Sequence, residues 1–591
     1  MLEWKGIAAS TGYAMGSAYR LPELPAAVKS AVLSYPGSKL DKQEIDKEAD
    51  RLAEAVRQAA QDIAAWKREA AAAGREAQAR IFATHLSLLQ DPEYIGEVTE
   101  RIKGEGIYAE SALRAVTDEL VALFGAMENE VLRERCADLE DVAGQLHAKL
   151  HGGDTPLQVR LTEPAVIVGV DIPPSLTARL DRRMVLGIAL EKGGRTSHSA
   201  IIARSLGIPA VVGIRGLLSA IQTGDEVIVD GRQGIVITTP EQSTTESYAT
   251  RQREEAVAAA RLARFKSLPT ATADGHAVQL AINIAHPQEA EAAREVGAEG
   301  IGLYRTEFLF MDRSTSPSED EQFQAYRSAV MAIPEGSAII IRTLDVGGDK
   351  AIPYLQRNRE ELNPFLGYRG IRLCLDREYS PLFKTQLRAI LRASACGKLK
   401  IMYPMIATLK ELRAASALLQ EAKLELDEAG LPYDPKLEAG IMIEVPAAAM
   451  IADQLAKEAD FFSIGTNDLV QYMMAADRMN EAVSHLAEPL QPAILRVIDR
   501  VIQCAHKEGK WAGMCGEMAG HPLAIPLLLG LGLDEFSMSA SALLPARELI
   551  ARLDYAECRR LAQQALQLES AEEIQRLAAE ACTPNVSLES E

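Results

Sequence analysis

The sequence lacks the paired cysteines of a metal or disulfide framework. Its seven cysteines are scattered through 591 residues with no C-x-x-C pair, which argues against a zinc site and for reduced thiols in a cytoplasmic protein. No apolar run reaches the roughly 18 residues that a membrane span needs. The opening Met1-Leu2-Glu3-Trp4-Lys5-Gly6 has no signal-peptide architecture. Positive charge is in deficit as well: 63 Lys and Arg against 83 Asp and Glu leave a net charge of -20. That argues against nucleic acid as partner and suits a basic protein partner or plain solubility.

What remains is a globular composition, 48% hydrophobic and 25% charged, in a chain long enough for several domains at roughly 100–200 residues each. One stretch stands out. Glu191-Lys192-Gly193-Gly194-Arg195-Thr196-Ser197-His198-Ser199 follows an apolar run at 185–190 that reads as a buried strand, and precedes a helical run at 200–206 closed by Gly207 and Pro209. His198 therefore sits at a strand-to-helix turn, with Thr196 or Ser197 able to cap the helix. Unpaired N–H groups at a helix start attract anions. A His there either receives a phosphoryl group or is simply part of the cap.

Around this stretch the chain changes character several times. Residues 1 to about 20, with Gly6, Gly12 and Gly16, suggest a short strand joining a later sheet. From 39 to 150, Ala, Glu, Gln, Arg and Leu dominate, and Ile45, Ala49, Leu52, Val56, Ile63 and Trp66 recur at helical spacing. This predicts antiparallel helical hairpins. One of them carries Ile81, Phe82, His85, Leu86, Leu88 and Leu89 and stops at Asp91-Pro92, a stripe that is either core or binding surface. An α/β pattern follows, with strands at 165–170, 185–190, 210–213, 226–230 and 235–238; the charged, Ala-rich stretch 241–265 reads as a linker helix.

After Leu268, strand-like runs alternate with helices at 278–284, 300–304, 338–344, 399–406, 440–445, 461–465, 511–515 and 535–538. About eight βα units over roughly 300 residues give the rhythm of a TIM barrel, whose active site lies at the C-terminal ends of its strands. Those ends carry chemistry. Arg305, Arg342 and Arg478 suit phosphate and carboxylate, which guanidinium binds bidentately. Glu444 and Asp468, from neighbouring strands, suit Mg²⁺. Cys515 is a candidate proton donor or nucleophile. Each residue alone has a bland reading, as a surface ion pair or a buried small thiol. Their convergence on one barrel end points to a metal-assisted enzyme acting on a phosphorylated anion.

The sequence strongly resembles enzyme I of the bacterial phosphotransferase system, essentially from end to end. The likeness is carried by GGRTSHSAIIARSLGIPAVVG around His198, GLYRTEFLFMDR around Arg305, IRTLDVGGDK around Arg342 and NPFLGYRGIRLCLDR around Arg369. FFSIGTNDLVQYMMAADR up to Arg478 and GMCGEMAG around Cys515 complete it. Thr11 stands where the family commonly has Pro, and Val445 where some members have Thr; neither departure touches a charged or reactive group.

The resemblance implies a multidomain α/β fold: a phosphohistidine α/β domain with an inserted all-α subdomain, then a C-terminal (β/α)8 barrel. The implied division is 1–35 and 153–240 for the phosphohistidine domain, 36–152 for the helical insert, 241–267 for the linker helix and 268–591 for the barrel. It implies that His198 takes the phosphoryl group of phosphoenolpyruvate and passes it to a His of the carrier protein HPr, releasing pyruvate, as the first step of sugar uptake. Arg305 and Arg342 would clamp the phosphate, Glu444 and Asp468 would hold Mg²⁺, and Asn467, Asp468 and Arg478 would contact substrate. Cys515 would protonate the enolate carbon. Thr177 would orient the His198 ring, and Arg369 and Lys350 would support the site. The insert, through Phe82, His85, Leu88 and Leu89, would dock HPr, and the barrel would form a homodimer.

Two related enzyme classes are set aside on sequence. Pyruvate phosphate dikinases and phosphoenolpyruvate synthases place an ATP-binding domain before the His segment, where this chain has only a helical block and a short strand. The nitrogen-related paralogue carries an extra N-terminal sensory domain, whereas this chain starts at Gly6-Ile7-Ala8-Ala9-Ser10. A non-catalytic binding role fits poorly with a full set of reactive residues.

Overall fold

The computed structural model describes residues 1–21, 40–72, 76–125, 130–151, 161, 163–177, 183–194, 197–311, 313, 315–347, 352, 354, 361–480 and 482–582. The chain forms two compact units, Met1–Val257 and Ala258–Glu591.

The first unit is built on an eight-stranded sheet. Its strands are β1 (Leu2–Lys5), β2 (Ile7–Ser10), β3 (Tyr13–Arg20), β4 (Ala165–Gly169), β5 (Val185–Leu190), β6 (Ala210–Val212), β7 (Glu226–Asp230) and β8 (Ile235–Thr238), in the order β1-β8-β7-β3-β4-β5-β6-β2. β3, β4, β5 and β6 run parallel, and the flanking pairs are antiparallel. The first twenty residues thus give three strands rather than one. β2 leaves to pair with β6 at one edge, and the chain reverses at Gly12, whose φ of 118° suits glycine, to bring β3 into the middle. β4 is buried at every position, as expected of a strand covered on both faces.

Among the described residues, five α-helices lie between β3 and β4: Lys42–Ala72, Glu76–Leu89, Pro92–Arg101, Ala109–Gly125 and Glu130–Leu150. Asp91 starts the third by accepting the Glu93 N–H, with Pro92 at the first helical position. Their apolar faces meet in a core of Leu52, Ala59, Ile63, Phe82, Leu89, Val98, Val116, Val142 and Leu146.

This core corrects one expectation. Phe82 and Leu89 are buried in it, and His85 is fully enclosed, its Nε2 lying 3.1 Å from Asp138 Oδ1; Leu88 is half-buried. Phe82, His85 and Leu89 offer no surface for docking HPr. Helical periodicity identified an apolar face, and neighbouring helices of the same chain cover it. The insert is tied to the α/β part through Asp141, which accepts hydrogen bonds from Ser175 N and Ser175 Oγ, both at 2.8 Å.

The helix Gln242–Ala263 carries the chain from the first unit into the second. There β9 (Gln279–Ile284), β10 (Gly300–Arg305), β11 (Ala338–Arg342), β12 (Leu399–Tyr403), β13 (Glu438–Ile443), β14 (Phe461–Ile464), β15 (Trp511–Met514) and β16 (Glu535–Met538) close an all-parallel barrel, β16 pairing with β9. Capping boxes at Ser318 with Glu321 and at Thr408 with Glu411 start two of the surrounding helices. At the N-terminal end of the strands Phe461 stacks on Trp511, with centroids 4.5 Å apart and Lys400 Nζ 4.5 Å from the Trp511 ring.

Most of these strands match the sequence reading in place but stop earlier. β11 ends at Arg342, not 344; β12 at Tyr403, not 406; β13 at Ile443, not 445. Just past the strand ends Thr343 N still donates to Met402 O at 3.0 Å and Cys515 N to Ile464 O at 3.2 Å, while Met405 turns away with a φ of 57°.

Candidate active site

The C-terminal ends of β10, β11, β13, β14 and β15 bring four arginines and four carboxylates together with one thiol. Arg342, the last residue of β11, has its Nη2 bonded to Glu307 and its Nη1 3.1 Å from Asp345 Oδ2. Arg369 Nη2 lies 2.9 Å from Asp345 Oδ2 and 3.0 Å from Asp468 Oδ2. Arg478 Nη1 lies 2.7 Å from Asp468 Oδ1. An alternating chain of charge, Glu307–Arg342–Asp345–Arg369–Asp468–Arg478, therefore spans the mouth. All but Arg478 are buried. Buried ions are tolerated only when paired in this way.

Arg305 ends β10 and forms no ion pair among the described residues. Asn467 accepts a long hydrogen bond of 3.4 Å from Glu517 N through Oδ1. Buried at the strand ends, Arg342 Nε, Thr343 Oγ1 and Thr466 Oγ1 have no hydrogen-bond partner among the described residues. An unmade buried hydrogen bond costs about 1–3 kcal/mol.

Glu444 accepts the Met405 N–H at 2.6 Å through Oε1. Burial, and then the neighbouring carboxylates of Asp468 and Asp345, push its carboxyl up to about 8 against the pull of Arg342 and Arg369. At neutral pH the Glu444 carboxyl therefore keeps its proton beside the Asp468 carboxylate, and a divalent cation held between them would displace that proton. No three His, Cys, Asp or Glu side chains cluster as a metal site among the described residues. A cation here would have two protein carboxylates, with water and substrate oxygens completing its shell, which is the usual manner of Mg²⁺.

Cys515 packs with Leu303, Ile340, Met402, Met442 and Phe461 in the barrel interior. Burial raises its thiol to about 11, although a hydrogen bond from Ser463 and the charge of Arg342 draw it down. It is a protonated thiol at neutral pH, on an apolar floor that keeps water away from below. Of the two roles open to it on sequence, proton donor suits this state and nucleophile does not.

In the first unit the helix His198–Leu206 begins at His198 itself, two residues earlier than the apolar pattern indicated. Ser197 occupies the N-cap position with φ -59° and ψ 150°, but its hydroxyl does not cap the helix. It donates instead to Gly194 O at 2.9 Å, which leaves the first-turn N–H groups without a side-chain cap. Ser199 Oγ donates to Asp171 Oδ1 at 3.1 Å, fixing the helix start to the end of β4. Gly207, in the left-handed conformation, closes the helix. Thr177 ends the short helix Pro174–Thr177. Lys350, Arg195 and Thr196 lie outside the described residues.

The comparisons with known proteins agree along the whole chain. Residues 5–135 match the N-terminal domain of PEP-utilising enzymes, residues 161–234 their mobile domain and residues 259–555 their PEP-binding domain. The phosphoenolpyruvate-protein phosphotransferase of Bacillus subtilis is 48% identical over 97% of this chain and 98% of its own length. The chain belongs to the phosphoenolpyruvate-protein phosphotransferases, the enzyme I family. The phosphotransferase of Geobacillus stearothermophilus is 49% identical over 96% of both chains. A solution NMR structure of an Enzyme I protein is 35% identical, covering 43% of this chain and 99% of that one, with a TM-score of 0.36.

Within this phosphotransferase site, sequence reasoning passed over Glu307, Asp345 and Tyr472. The first two stood in the quoted strand ends, but only as neighbours of Arg305 and Arg342. Their signal was a carboxylate two or three residues from an arginine at a strand end. Tyr472, whose hydroxyl accepts from Arg369 Nη1 at 3.2 Å and donates to Phe365 O at 2.6 Å, carried no sequence signal.

Proposed function

We propose that this chain transfers the phosphoryl group of phosphoenolpyruvate to His198 and then to a histidine of the carrier HPr, releasing pyruvate. The observation that carries the reading is the convergence of Arg305, Arg342, Glu444, Asp468 and Cys515 on one barrel mouth, in a chain of the enzyme I family. Arg305 and Arg342 bind the phosphate oxygens, while Asn467 and Arg478 orient the rest of the substrate. A ring nitrogen of His198 attacks phosphorus, the bond from phosphorus to the enol oxygen breaks, and the electron pair stays on that oxygen. Such transfer depends on positioning and charge neutralisation. When bound, Mg²⁺ held by Glu444 and Asp468 would supply further neutralisation of the phosphate. The enolate carbon takes the Cys515 proton to give pyruvate, and the thiolate regains a proton from solvent through the mouth.

His198 belongs to the first unit and the barrel residues to the second, so His198 visits the barrel mouth and leaves it to meet HPr, a domain movement of the hinge type. The uncapped N–H groups of its helix hold the phosphoryl oxygens on the way. A cytoplasmic location and a homodimer through the barrel belong to the same reading. No helix among the described residues is long and apolar enough to cross a membrane.

The test is labelling from phosphoenolpyruvate carrying labelled phosphate, with Mg²⁺. The chain takes up acid-labile label and hands it to HPr. A His198→Ala chain that still takes up this label would sink the reading.

A further inference from the structure

Asp345 lies three residues past the end of β11 and is 2% exposed. Two arginines share its carboxylate. Arg342 Nη1 approaches Oδ2 at 3.1 Å from one side. Arg369 forks onto it from the other, with Nη2 2.9 Å from Oδ2 and 3.0 Å from Oδ1, and Nε 3.3 Å from Oδ1. The far side of each guanidinium is held too: Arg342 by Glu307, and Arg369 by Asp468 and the Tyr472 hydroxyl.

The backbone is shaped for this arrangement. Gly370, next to Arg369, has a φ of 56°, and a Cβ there would stand 2.9 Å from Met405 and 3.2 Å from Asp345 Oδ1. Its N–H donates to Val346 O at 3.2 Å, drawing the Arg369 segment down beside Asp345. On the other side, Leu344 N donates to Gln386 Oε1 at 2.9 Å, and Thr306 Oγ1 donates to Arg342 O at 2.8 Å, so the end of β11 is pinned as well.

We infer that Asp345 is a positioning residue for the phosphoenolpyruvate reaction: it sets the separation and planes of Arg342 and Arg369, so that both meet the substrate's anionic groups as one preformed clamp. The inference rests on the function proposed above. Two guanidinium groups this close repel each other unless a carboxylate lies between them. Without Asp345 each keeps its outer partner, but the pair splays, and Arg369 moves onto Asp468, the carboxylate a divalent cation needs. Substrate binding must then bring the clamp together, a cost that preorganisation avoids.

The experiment compares full-length wild-type, Asp345→Asn, Arg369→Lys and the double variant. Pyruvate release and phospho-HPr formation are followed over a range of phosphoenolpyruvate concentrations, with thermal melting and His198 labelling from phospho-HPr measured on the same preparations. Asp345→Asn raises the KM for phosphoenolpyruvate by about 30-fold, while kcat changes by less than about threefold and labelling from phospho-HPr is unchanged. In the double variant the KM stays within about threefold of Arg369→Lys alone, because the aspartate acts through the arginine. An unchanged KM, with kcat reduced in step with the folded fraction, overturns the inference and makes Asp345 purely structural; additive effects in the double variant overturn it as well. If Asp345→Asn does not fold, Asp345→Glu, which keeps the charge, serves in the same comparison, and an unchanged KM there overturns the inference equally. Wild-type chain that makes neither pyruvate nor phospho-HPr overturns the reaction itself.

Discussion

Asp468 gives each of its carboxylate oxygens to a different arginine: Oδ1 to Arg478 at 2.7 Å and Oδ2 to Arg369 at 3.0 Å. A cation that binds Asp468 competes with both. Arg478→Ala therefore has two opposite effects. It weakens the substrate site, lowering kcat/KM for phosphoenolpyruvate by about a hundredfold. It also frees Oδ1, so Mn²⁺ binding without substrate, read by electron paramagnetic resonance, becomes tighter. Weaker Mn²⁺ binding in this variant would show that Arg478 builds the cation site rather than competing with it.

Glu444 makes stability depend on pH. Its carboxyl stands at about 8 in the fold against 4.5 as reference for the unfolded chain. Between those values the folded state holds more protons than the unfolded one, so stability is full below 4.5, falls as pH rises and levels off near 8. Glu444→Gln, melted in chelator across this range, loses that slope and at pH 8 melts a few degrees above wild type, at roughly 2–4 °C per kcal/mol for a large domain. The same variant loses activity, since an amide is a poor cation ligand. A slope that persists in Glu444→Gln would point to another group.

The Cys515 thiol is enclosed and held up to about 11, whereas Cys396 is exposed. Iodoacetamide at pH 8 therefore modifies Cys396 well before Cys515, as peptide mass analysis will show. Cys515→Ser slows pyruvate release by about 10²–10⁴-fold, the usual worth of a positioned general acid, and spares transfer between phospho-HPr and His198. If that transfer also falls, Cys515 has a structural role.

The barrel and its chemistry were legible because its strands are apolar runs, and those of β10, β11, β13, β14 and β15 lead at once into charged or reactive residues. Strand lengths were less so: in 399–406 apolar residues continue past Tyr403, where β12 ends, and composition does not mark where a backbone leaves a sheet. The arginines were found by type, whereas their partners were not. Asp345 meets Arg369 across 24 residues and Asp468 meets it across 99, distances at which no local pattern operates. The stripe with Phe82 and His85 was read correctly as apolar, but its partner surface was another helix of the insert. Asp138, 53 residues away, is what encloses His85.

Phe82 packs against Trp66 with centroids 5.8 Å apart, inside the helical core. Phe82→Ala costs about 3–5 kcal/mol of the insert's stability, as other large-to-small core changes do. Below its lowered melting temperature the variant binds HPr as wild type does, which calorimetric titration will check. Weakened binding by a fully folded variant would restore Phe82 to the docking surface.

The apolar floor beneath Cys515 has a stereochemical consequence. The third carbon of an enol is flat, and its two faces differ once the molecule is fixed by arginines on one side and a single S–H group on another. Leu303, Ile340, Met402 and Met442 offer no competing acid from the interior. Phosphoenolpyruvate carrying deuterium at one vinyl position and tritium at the other would therefore give pyruvate with a methyl group of one handedness, and the barrel's interior would be recorded in the chirality of its product.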